Sequence, residues 1–92
     1  MGDYIRLPHS IKQKDENGKI LAEITFPEYE QGVYTIDHTY VNDDLRGQGV
    51  ASELVQMAVD QIREQGGTVR ATCSYASKWL KEHSSNSHSS NI

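Results

Sequence analysis

The stretch RGQGVASELVQMAVDQIREQGG, residues 46–67, joins a glycine-rich turn to an amphipathic pattern. From Val50 to Gln65 apolar residues recur every three or four positions and polar residues take the opposite face, which is typical of a helix with one buried side. The recurring apolar residues are Ala51, Leu54, Val55, Ala58 and Ile62. The pair Gly66-Gly67 predicts the end of this helix, because glycine is common just past a helical C-terminus.

Stretches with strand character lie on both sides of the predicted helix. Val33 to Val41 is rich in β-branched and aromatic residues, and Thr68 to Ser74 follows the helix. This order predicts two parallel strands joined by a helical crossover. Nearer the N-terminus, Ile11 to Asp15 and Lys19 to Phe26 flank Asn17-Gly18, a dipeptide typical of a tight turn. The sequence therefore predicts an antiparallel hairpin before the β-α-β unit.

The whole pattern predicts the α+β or α/β class, with a mixed sheet of three antiparallel strands plus one parallel strand and with two helices. A second, shorter helix is predicted after Ser74, a candidate N-cap, and we expect its Trp79 to pack in the core. Residues 1–83 form one domain in this interpretation. The polar stretch 84–92 is predicted to be a disordered tail.

Composition limits the classes of partner. The sequence has 9 Lys and Arg against 13 Asp and Glu, a formal net charge of -4, and no basic block that could follow a phosphate backbone. We therefore expect no nucleic-acid partner, and a cationic acceptor is mildly favoured. No run approaches the roughly 20 apolar residues of a membrane span. The single cysteine, Cys73, has no disulfide partner and the N-terminus has no signal-peptide pattern, so we expect a cytoplasmic protein without membrane attachment.

The glycine-rich turn before the first helix has two interpretations. A helix N-terminus offers unpaired N–H groups and a positive dipole end, and glycines at 47 and 49 would leave room there for an anion. The alternative is that the glycines only permit a tight turn. A Walker loop is excluded, since GQGVAS has no lysine, and a dinucleotide fingerprint fits poorly, since Ser52 takes the third glycine position.

Three segments carry a resemblance to a known family. Residues 46–51, RGQGVA, resemble the Arg/Gln-x-x-Gly-x-Gly/Ala signature of the GNAT (GCN5-related) N-acetyltransferases, between a predicted strand and a predicted helix. Together with HTYV at 38–41 and CSYASKWLKEH at 73–83, they are similar to the minimal stand-alone GNAT-like type. The resemblance spans roughly 20–83 and implies a truncated GNAT fold.

The resemblance implies a site for acetyl-CoA, or coenzyme A, as co-substrate. It implies pantetheine along Tyr40 and Val41, phosphates positioned by Arg46, and pyrophosphate on the N–H groups of the turn and first helical residues. Those residues are Gly47, Gln48, Gly49, Val50 and Ala51. In one departure from the family pattern, Asp43 stands in place of the usual proline and, with Asp44, brings negative charge near the phosphate site. The final strands that build the acceptor wall of full-length members are also absent from this sequence.

Candidate catalytic residues come from the same segments. Cys73 is predicted at the C-terminal end of a strand, where it would carry the acetyl group or form a wall of the thioester pocket. His38, on the neighbouring strand, is a candidate base for the amine or for Cys73, although a structural histidine is an equal alternative. Tyr75 is a possible general acid or a packing residue. No metal site is expected, because the histidines and Cys73 show no recognised ligand spacing.

The sequence leaves three functions open. The first is an acetyl-CoA-dependent N-acetyltransferase acting on a small-molecule or protein amine. The second is a non-catalytic module that binds coenzyme A or acyl-CoA, and the third is a protein-interaction domain in which the glycines serve only the turn. We expect a monomer or a weak homodimer, since an exposed sheet edge would allow self-association.

Overall fold

The chain forms seven strands and two helices over the part that the structure describes. The computed structural model describes the backbone of residues 4–91 and the side chains of residues 4–83. The strands are β1 (Tyr4–Leu7), β2 (Ser10–Lys14), β3 (Ile20–Thr25), β4 (Glu28–Glu30), β5 (Val33–Ile36), β6 (His38–Val41) and β7 (Thr68–Ala71). The helices are α1 (Val50–Glu64) and α2 (Ser74–Asn91), and a short 3-10 turn at Asp43–Leu45 precedes α1.

The hairpin predicted around Asn17-Gly18 is confirmed. β2 and β3 pair antiparallel along their length. The Asp15 carboxylate accepts hydrogen bonds from the backbone N–H of Asn17 at 2.8 Å and of Lys19 at 2.9 Å. An aspartate that satisfies the backbone just ahead of it stabilises a turn, and the turn sets the register of the two strands.

Two strands were missed by the sequence prediction. β1 pairs with β2 and β4 pairs with β5, both antiparallel. β1 is only four residues long and stops at Pro8, and all three residues of β4 are exposed, so neither has a clear alternating pattern. α1 holds β1 in place: the Tyr4 hydroxyl donates to the Glu53 carboxylate at 2.6 Å, and the Gln61 amide donates to the Leu7 carbonyl at 2.7 Å. Tertiary contacts therefore place β1.

The predicted third strand, Val33 to Val41, is interrupted at Asp37. The part before the break, β5, pairs in parallel with β7 up to Ile36 opposite Ala71. The part after it, β6, pairs antiparallel with β3. The single mixed sheet of the prediction is therefore two sheets, ordered β1-β2-β3-β6 and β4-β5-β7, because the chain changes partners at the break. The predicted class, with two helices and a parallel pair, is confirmed.

The helical crossover follows the prediction closely. α1 runs from Val50 to Glu64 and ends in the predicted glycine pair. The Gly67 N–H donates to the Ile62 carbonyl at 2.9 Å and the Gly66 N–H donates to the Arg63 carbonyl at 3.0 Å. These two bonds satisfy carbonyls that the last helical turn leaves open.

One hydrophobic core lies between the sheets and the helices. It combines the inward residues of β2, β3 and β5 with the apolar face of α1 and with two residues of α2. The side chains buried there include Ile11, Ile24, Phe26, Ile36, Leu54, Val55, Ala58, Ile62, Ala76 and Trp79. Burying a side chain the size of leucine or phenylalanine stabilises a fold by about 1.5–3 kcal/mol. Trp79 is 7% exposed, so its predicted core position is confirmed.

α2 differs from the prediction at both ends. The Cys73 carbonyl accepts the first helical bond, from the Ser77 N–H at 2.8 Å, so Cys73 takes the N-cap position expected for Ser74. At the other end the helical backbone continues to Asn91, where the sequence predicted a disordered tail, and Ile92 lies outside the described residues. Extending a formed helix costs less than starting one, which is why polar residues can follow the packed turns. No helix within residues 4–91 is long and apolar enough to cross a membrane.

Candidate coenzyme-binding cleft

A cleft of about 420 Å³ opens where β6, the 3-10 turn and the N-termini of both helices meet. It is bounded on one side by the glycine-rich turn and on the other by β6 and the start of α2. The lining residues are Thr39, Val41, Leu45, Arg46, Gly47, Gly49, Val50, Ala51, Ser52 and Tyr75. Six residues predicted from the resemblance to contact a ligand therefore lie on the cleft, as does Tyr75.

The first turn of α1 presents hydrogen-bond donors to this cleft. The Gly49 carbonyl accepts the N–H of Glu53 at 3.0 Å, so Gly49 is the N-cap and the N–H groups of Val50, Ala51 and Ser52 have no acceptor within the helix. Together with the positive end of the helix dipole, these groups attract an anion.

The two glycines of the turn are required by the backbone. Gly47 has φ 82° and Gly49 has φ 76°, in the left-handed region that other residues rarely adopt. A Cβ built on either would meet nothing within 4 Å. The glycines therefore shape the turn rather than relieve crowding, and the space in front of them is the open cleft.

Arg46 lies at the edge of the cleft beside an acidic residue. Its Nε is 3.1 Å from the Asp43 carboxylate, and both side chains are exposed. Asp43 lies near the predicted phosphate site, and its ion pair with Arg46 offsets part of its negative charge. The side-chain amide of Gln48 donates to the Asp44 carbonyl at 3.3 Å, and this side chain is absent from the cleft lining.

β6 turns one backbone edge towards the cleft. The Asn42 N–H donates to the Leu21 carbonyl at 2.8 Å, and backbone groups of successive strand residues point alternately to the two sides. The N–H and C=O groups of Thr39 and Val41 therefore point away from β3, into the gap that opens beyond β5. Pantetheine was predicted to lie along Tyr40 and Val41; the Tyr40 side chain is 39% exposed, on the face of β6 opposite to Thr39 and Val41.

Cys73 lies beside this gap, at the point where β5 and β7 separate. The N–H groups of Thr72 and Cys73 both donate to the Ile36 carbonyl, at 3.0 Å and 3.2 Å, and the chain then turns into α2. The Cys73 sulfur lies 3.6 Å from the Thr39 hydroxyl oxygen. The residue is partly buried between Thr39 and Tyr75, both of which line the cleft.

The surroundings of the Cys73 thiol favour its ionised form. Partial burial by itself raises the thiol pKa, but hydrogen bonds to the sulfur more than offset it, so that the pKa of Cys73 is lowered. The groups that hydrogen-bond the sulfur are the Ala76 N–H, the Thr39 hydroxyl, the Tyr75 N–H and the Thr39 N–H, and the hydroxyl becomes a donor once the thiol is ionised. A sulfur that caps a helix N-terminus is in a setting where thiolates are stabilised.

The structure does not bring Cys73 and His38 together. His38 and Thr39 are neighbours on β6, so their side chains point to opposite faces. Thr39 faces Cys73, whereas His38 is exposed on the outer face opposite Thr25. The predicted His38–Cys73 pair is therefore wrong as a direct contact. His38 remains available only to a group that approaches from the outer face.

The fold agrees with the comparisons to known proteins. Residues 10–89 match the model of the GCN5-related N-acetyl-transferase family. The chain belongs to this family. As a GCN5-related N-acetyltransferase family member, it is similar to the protein NATD1 of Xenopus tropicalis, 34% identical over 85 residues, which are 86% of this chain and 77% of that protein. Mouse NATD1 is 35% identical over 87 residues, 89% of this chain and 79% of that protein.

Solved structures of the family show the same fold. A GCN5-like protein from Staphylococcus aureus superposes with a TM-score of 0.74 at 32% identity, covering 90% of this chain and 81% of that one. The Escherichia coli family member YhbS, solved in complex with CoA, gives a TM-score of 0.55 at 24% identity over 63% of this chain and 35% of that one. The similarity to YhbS supports the fold alone. The family resemblance noted in the sequence is thereby confirmed.

Three cleft residues of this family member escaped the sequence prediction: Thr39, Leu45 and Ser52. Thr39 and Tyr40 point to opposite faces of β6. Because the strand is broken at Asp37, Thr39 rather than Tyr40 faces the cleft, the reverse of what an uninterrupted alternation would suggest. Ser52 had a usable signal, because the third residue of a helix has an unpaired N–H. Within residues 4–83, no group of three or more His, Cys, Asp or Glu side chains is arranged to hold a metal ion.

Proposed function

We propose that this chain binds acetyl-CoA in the cleft and transfers its acetyl group to an amine. The observation that carries the proposal is a single cleft containing the open N–H groups of α1, Arg46 and the outward backbone edge of β6. The family membership supports the same activity class. The net charge of -4 favours a cationic amine as acceptor.

The donors of the cleft fit the chemistry of coenzyme A. A pyrophosphate requires several convergent N–H donors and positive charge, which the first turn of α1 and Arg46 supply. The amide groups of pantetheine require a backbone edge, which the outward N–H and C=O groups of Val41 and the C=O group of Thr39 supply, while the Thr39 N–H donates to the Cys73 sulfur. We therefore assign pantetheine to Thr39 and Val41 rather than to the Tyr40 side chain.

Acetyl-CoA supplies an acetyl group that is activated as a thioester. In one route the Cys73 thiolate forms a bond to the acetyl carbonyl carbon while the thioester C–S bond breaks, and the CoA thiolate leaves. The acceptor amine then attacks the acetyl group and Cys73 departs as thiolate. The lowered thiol pKa favours this route. In the other route Cys73 is only a wall, and the amine attacks the thioester directly.

Two further side chains have roles in either route. Tyr75 lines the cleft next to Cys73, where its hydroxyl can protonate the departing thiolate. His38 lies on the outer face of β6, where it can accept a proton from an amine arriving from that side. The proton of the ammonium must leave before attack, because only the neutral amine has a free lone pair.

The test is titration calorimetry with acetyl-CoA and CoA, combined with turnover and intact mass. We expect saturable binding of both ligands and acetylation of a supplied polyamine or lysine peptide. An acetyl adduct that is absent from Cys73→Ser and from denatured protein would support the covalent route. Unchanged turnover in Cys73→Ala would leave only direct transfer, and failure to bind CoA would overturn the proposal.

A second candidate function is a coenzyme A or acyl-CoA binding module without turnover. The observation that favours it is the separation of Cys73 and His38 on opposite faces, which leaves the thiol without a direct base. Binding without acetyl transfer to any amine of a broad panel would support this candidate. A protein-interaction domain would bind no CoA at all.

A further inference from the structure

The segment that forms β3 to β6 carries carboxylates and no strongly basic side chain. Residues 20–41 contain no Lys or Arg, and their acidic residues are Glu23, Glu28, Glu30 and Asp37. Each of the three glutamates has a partner from another part of the chain, namely Lys12 at 3.6 Å, His9 at 3.9 Å and Arg70 at 3.6 Å, respectively. Among the side chains of residues 4–83, Asp37 has no ion-pair partner. Asp37 is therefore the carboxylate of these strands that is left to attract a cation from outside.

The Asp37 carboxylate lies on the outer face of the sheet. Thr25 and His38 are directly opposite each other on β3 and β6, so their side chains share a face. Ile24 and Phe26, on either side of Thr25, are fully buried, which places the Thr25 side chain on the solvent side. The Thr25 hydroxyl donates to Asp37 Oδ1 at 2.5 Å. The carboxylate is therefore on the same side of the sheet as His38.

An exposed aromatic ring adjoins this carboxylate. The Tyr29 hydroxyl donates to Asp37 Oδ2 at 3.0 Å, and Tyr29 is 69% exposed. This hydrogen bond, and then the negative charge of the carboxylate, raise the pKa of Tyr29. Each carboxylate oxygen accepts one hydroxyl, whereas such an oxygen has two acceptor positions. The carboxylate can therefore accept an ammonium group as well, next to a ring whose face attracts cations.

Asp37 also lies at the gap in which an acceptor would react. It follows Ile36, whose carbonyl accepts the N–H groups of Thr72 and Cys73. It precedes His38, which the proposed function uses as a base. In the described sheets β3 is the only strand beside β6, so no strand fills the gap between β6 and β5. A molecule with two amino groups can thus place one of them at Asp37 and the other in the gap.

We propose that Asp37 and Tyr29 form a subsite for an ammonium group of the acetyl acceptor, and that this acceptor is an alkyl diamine or polyamine. The inference rests on the proposed function, since it takes acetyl transfer to occur in the gap. One nitrogen keeps its charge and binds the carboxylate and the ring. The other gives a proton to His38 and attacks the carbonyl carbon of the thioester. The C–N bond forms, the C–S bond breaks and the thiolate leaves.

The binding step can be tested without coenzyme. Putrescine, a diamine with a four-carbon chain, is titrated into the isotope-labelled full chain, and the backbone amide resonances are followed by NMR. We expect saturable shifts centred on Asp37 and His38, and none with butanediol, which has the same chain without charge. These shifts locate the subsite in the wild-type protein. Shifts confined to other parts of the chain would overturn the inference.

Three variants test the side chains of the subsite. Asp37→Asn should weaken putrescine binding about five- to tenfold through the loss of a charge-assisted bond. Tyr29→Leu, which removes the ring, should weaken it about threefold. Asp60→Asn removes the same charge from an exposed position on α1, so it is the matched control and should bind like wild type. Circular dichroism and the Kd for CoA verify that each variant is folded.

Turnover separates this inference from the proposed function. With acetyl-CoA, putrescine should have a KM about fivefold below that of butylamine, which lacks the second charge. Asp37→Asn should remove this difference by raising the KM for putrescine with little change in kcat. If Asp37→Asn raises the KM for a lysine peptide and not for putrescine, the acceptor is a peptide and the inference is wrong.

The two proposals fail in different ways. If wild type binds CoA but not putrescine, or if Asp37→Asn binds putrescine as tightly as wild type does, the inference is overturned while the proposed function stands. If wild type binds no CoA, both fall.

Discussion

Thr25 and Asp37 bind each other twice at the strand break. The Thr25 hydroxyl donates to the Asp37 carboxylate at 2.5 Å, and the Asp37 N–H donates to the Thr25 carbonyl at 3.2 Å. The Tyr29 hydroxyl donates to the second carboxylate oxygen at 3.0 Å. These bonds stabilise the break where β5 and β6 diverge, and so maintain the gap beside the cleft.

Replacing Thr25 by valine should therefore weaken the fold. Valine keeps the shape but removes one donor from a part-buried carboxylate, a loss of about 1–2 kcal/mol of unfolding free energy. Urea unfolding followed by circular dichroism measures it. The matched control is Thr68→Val, at an exposed strand position, which should change stability by less than about 0.5 kcal/mol. Equal effects of the two substitutions would contradict the role given to Thr25.

Alkylation of Cys73 by iodoacetamide should proceed at lower pH than alkylation of an unfolded cysteine. The folded pKa lies below the unfolded one, so ionisation of Cys73 stabilises the fold above the unfolded pKa, and this stabilisation is lost as pH falls through the folded pKa. Thr39→Val should slow alkylation at neutral pH roughly three- to tenfold, since one hydrogen bond to the thiolate is removed. Thr72→Val, an exposed neighbour, is the control. A faster alkylation rate in Thr39→Val would refute the statement that Thr39 stabilises the Cys73 thiolate.

His38→Gln should leave the alkylation rate of Cys73 within about twofold of wild type, since the two side chains lie on opposite faces of β6 and do not touch. Its effect should appear instead in acetyl transfer, as a lower kcat/KM. A strong fall in the alkylation rate of Cys73 would show that His38 affects the thiol, and would contradict their placement on opposite faces.

Gly67→Ala should destabilise the protein by about 1–3 kcal/mol through overpacking. A Cβ at this position would lie 2.5 Å from two ring carbons of Tyr34 and 3.1 Å from Ile62 Cγ2. Tyr34 is 9% exposed and packs near His9, so its ring has little room to move. In a Tyr34→Leu background the same substitution should cost clearly less, as thermal unfolding of the four proteins in this cycle would show.

The sequence predicted those elements whose signal is local. The period of α1, its Gly66-Gly67 end and the Asn17-Gly18 turn are each encoded within a few residues, and all three are found. β1 and β4 are short and depend on partners elsewhere in the chain, so their own residues do not reveal them. The break at Asp37 is likewise a tertiary effect, because its bonds to Thr25 and Tyr29 come from other elements.

The residues of the cleft likewise divide into those that a local sequence signal predicts and those that tertiary contacts determine. Arg46, Gly47 and Gly49 could be predicted because the signature is contiguous and these residues line one cleft. The face that the Tyr40 side chain takes could not be predicted, because it depends on register, which a strand break can change. The hydrogen bond from the Trp79 indole N–H to Ser52 Oγ joins residues far apart in the chain, and no spacing within either segment indicates it.

α1 contributes both to the hydrophobic core and to the cleft. Its flank buries Leu54, Val55 and Ile62 in the core, and its first turn faces the cleft. Occupancy of the cleft and folding of the chain are therefore linked equilibria: a ligand at one hundred times its Kd adds about 2.7 kcal/mol of stability. For a domain of this size that is a substantial share of the total. The folded population should then follow the supply of the coenzyme, and a rise in Tm would reveal a ligand before any acceptor is known.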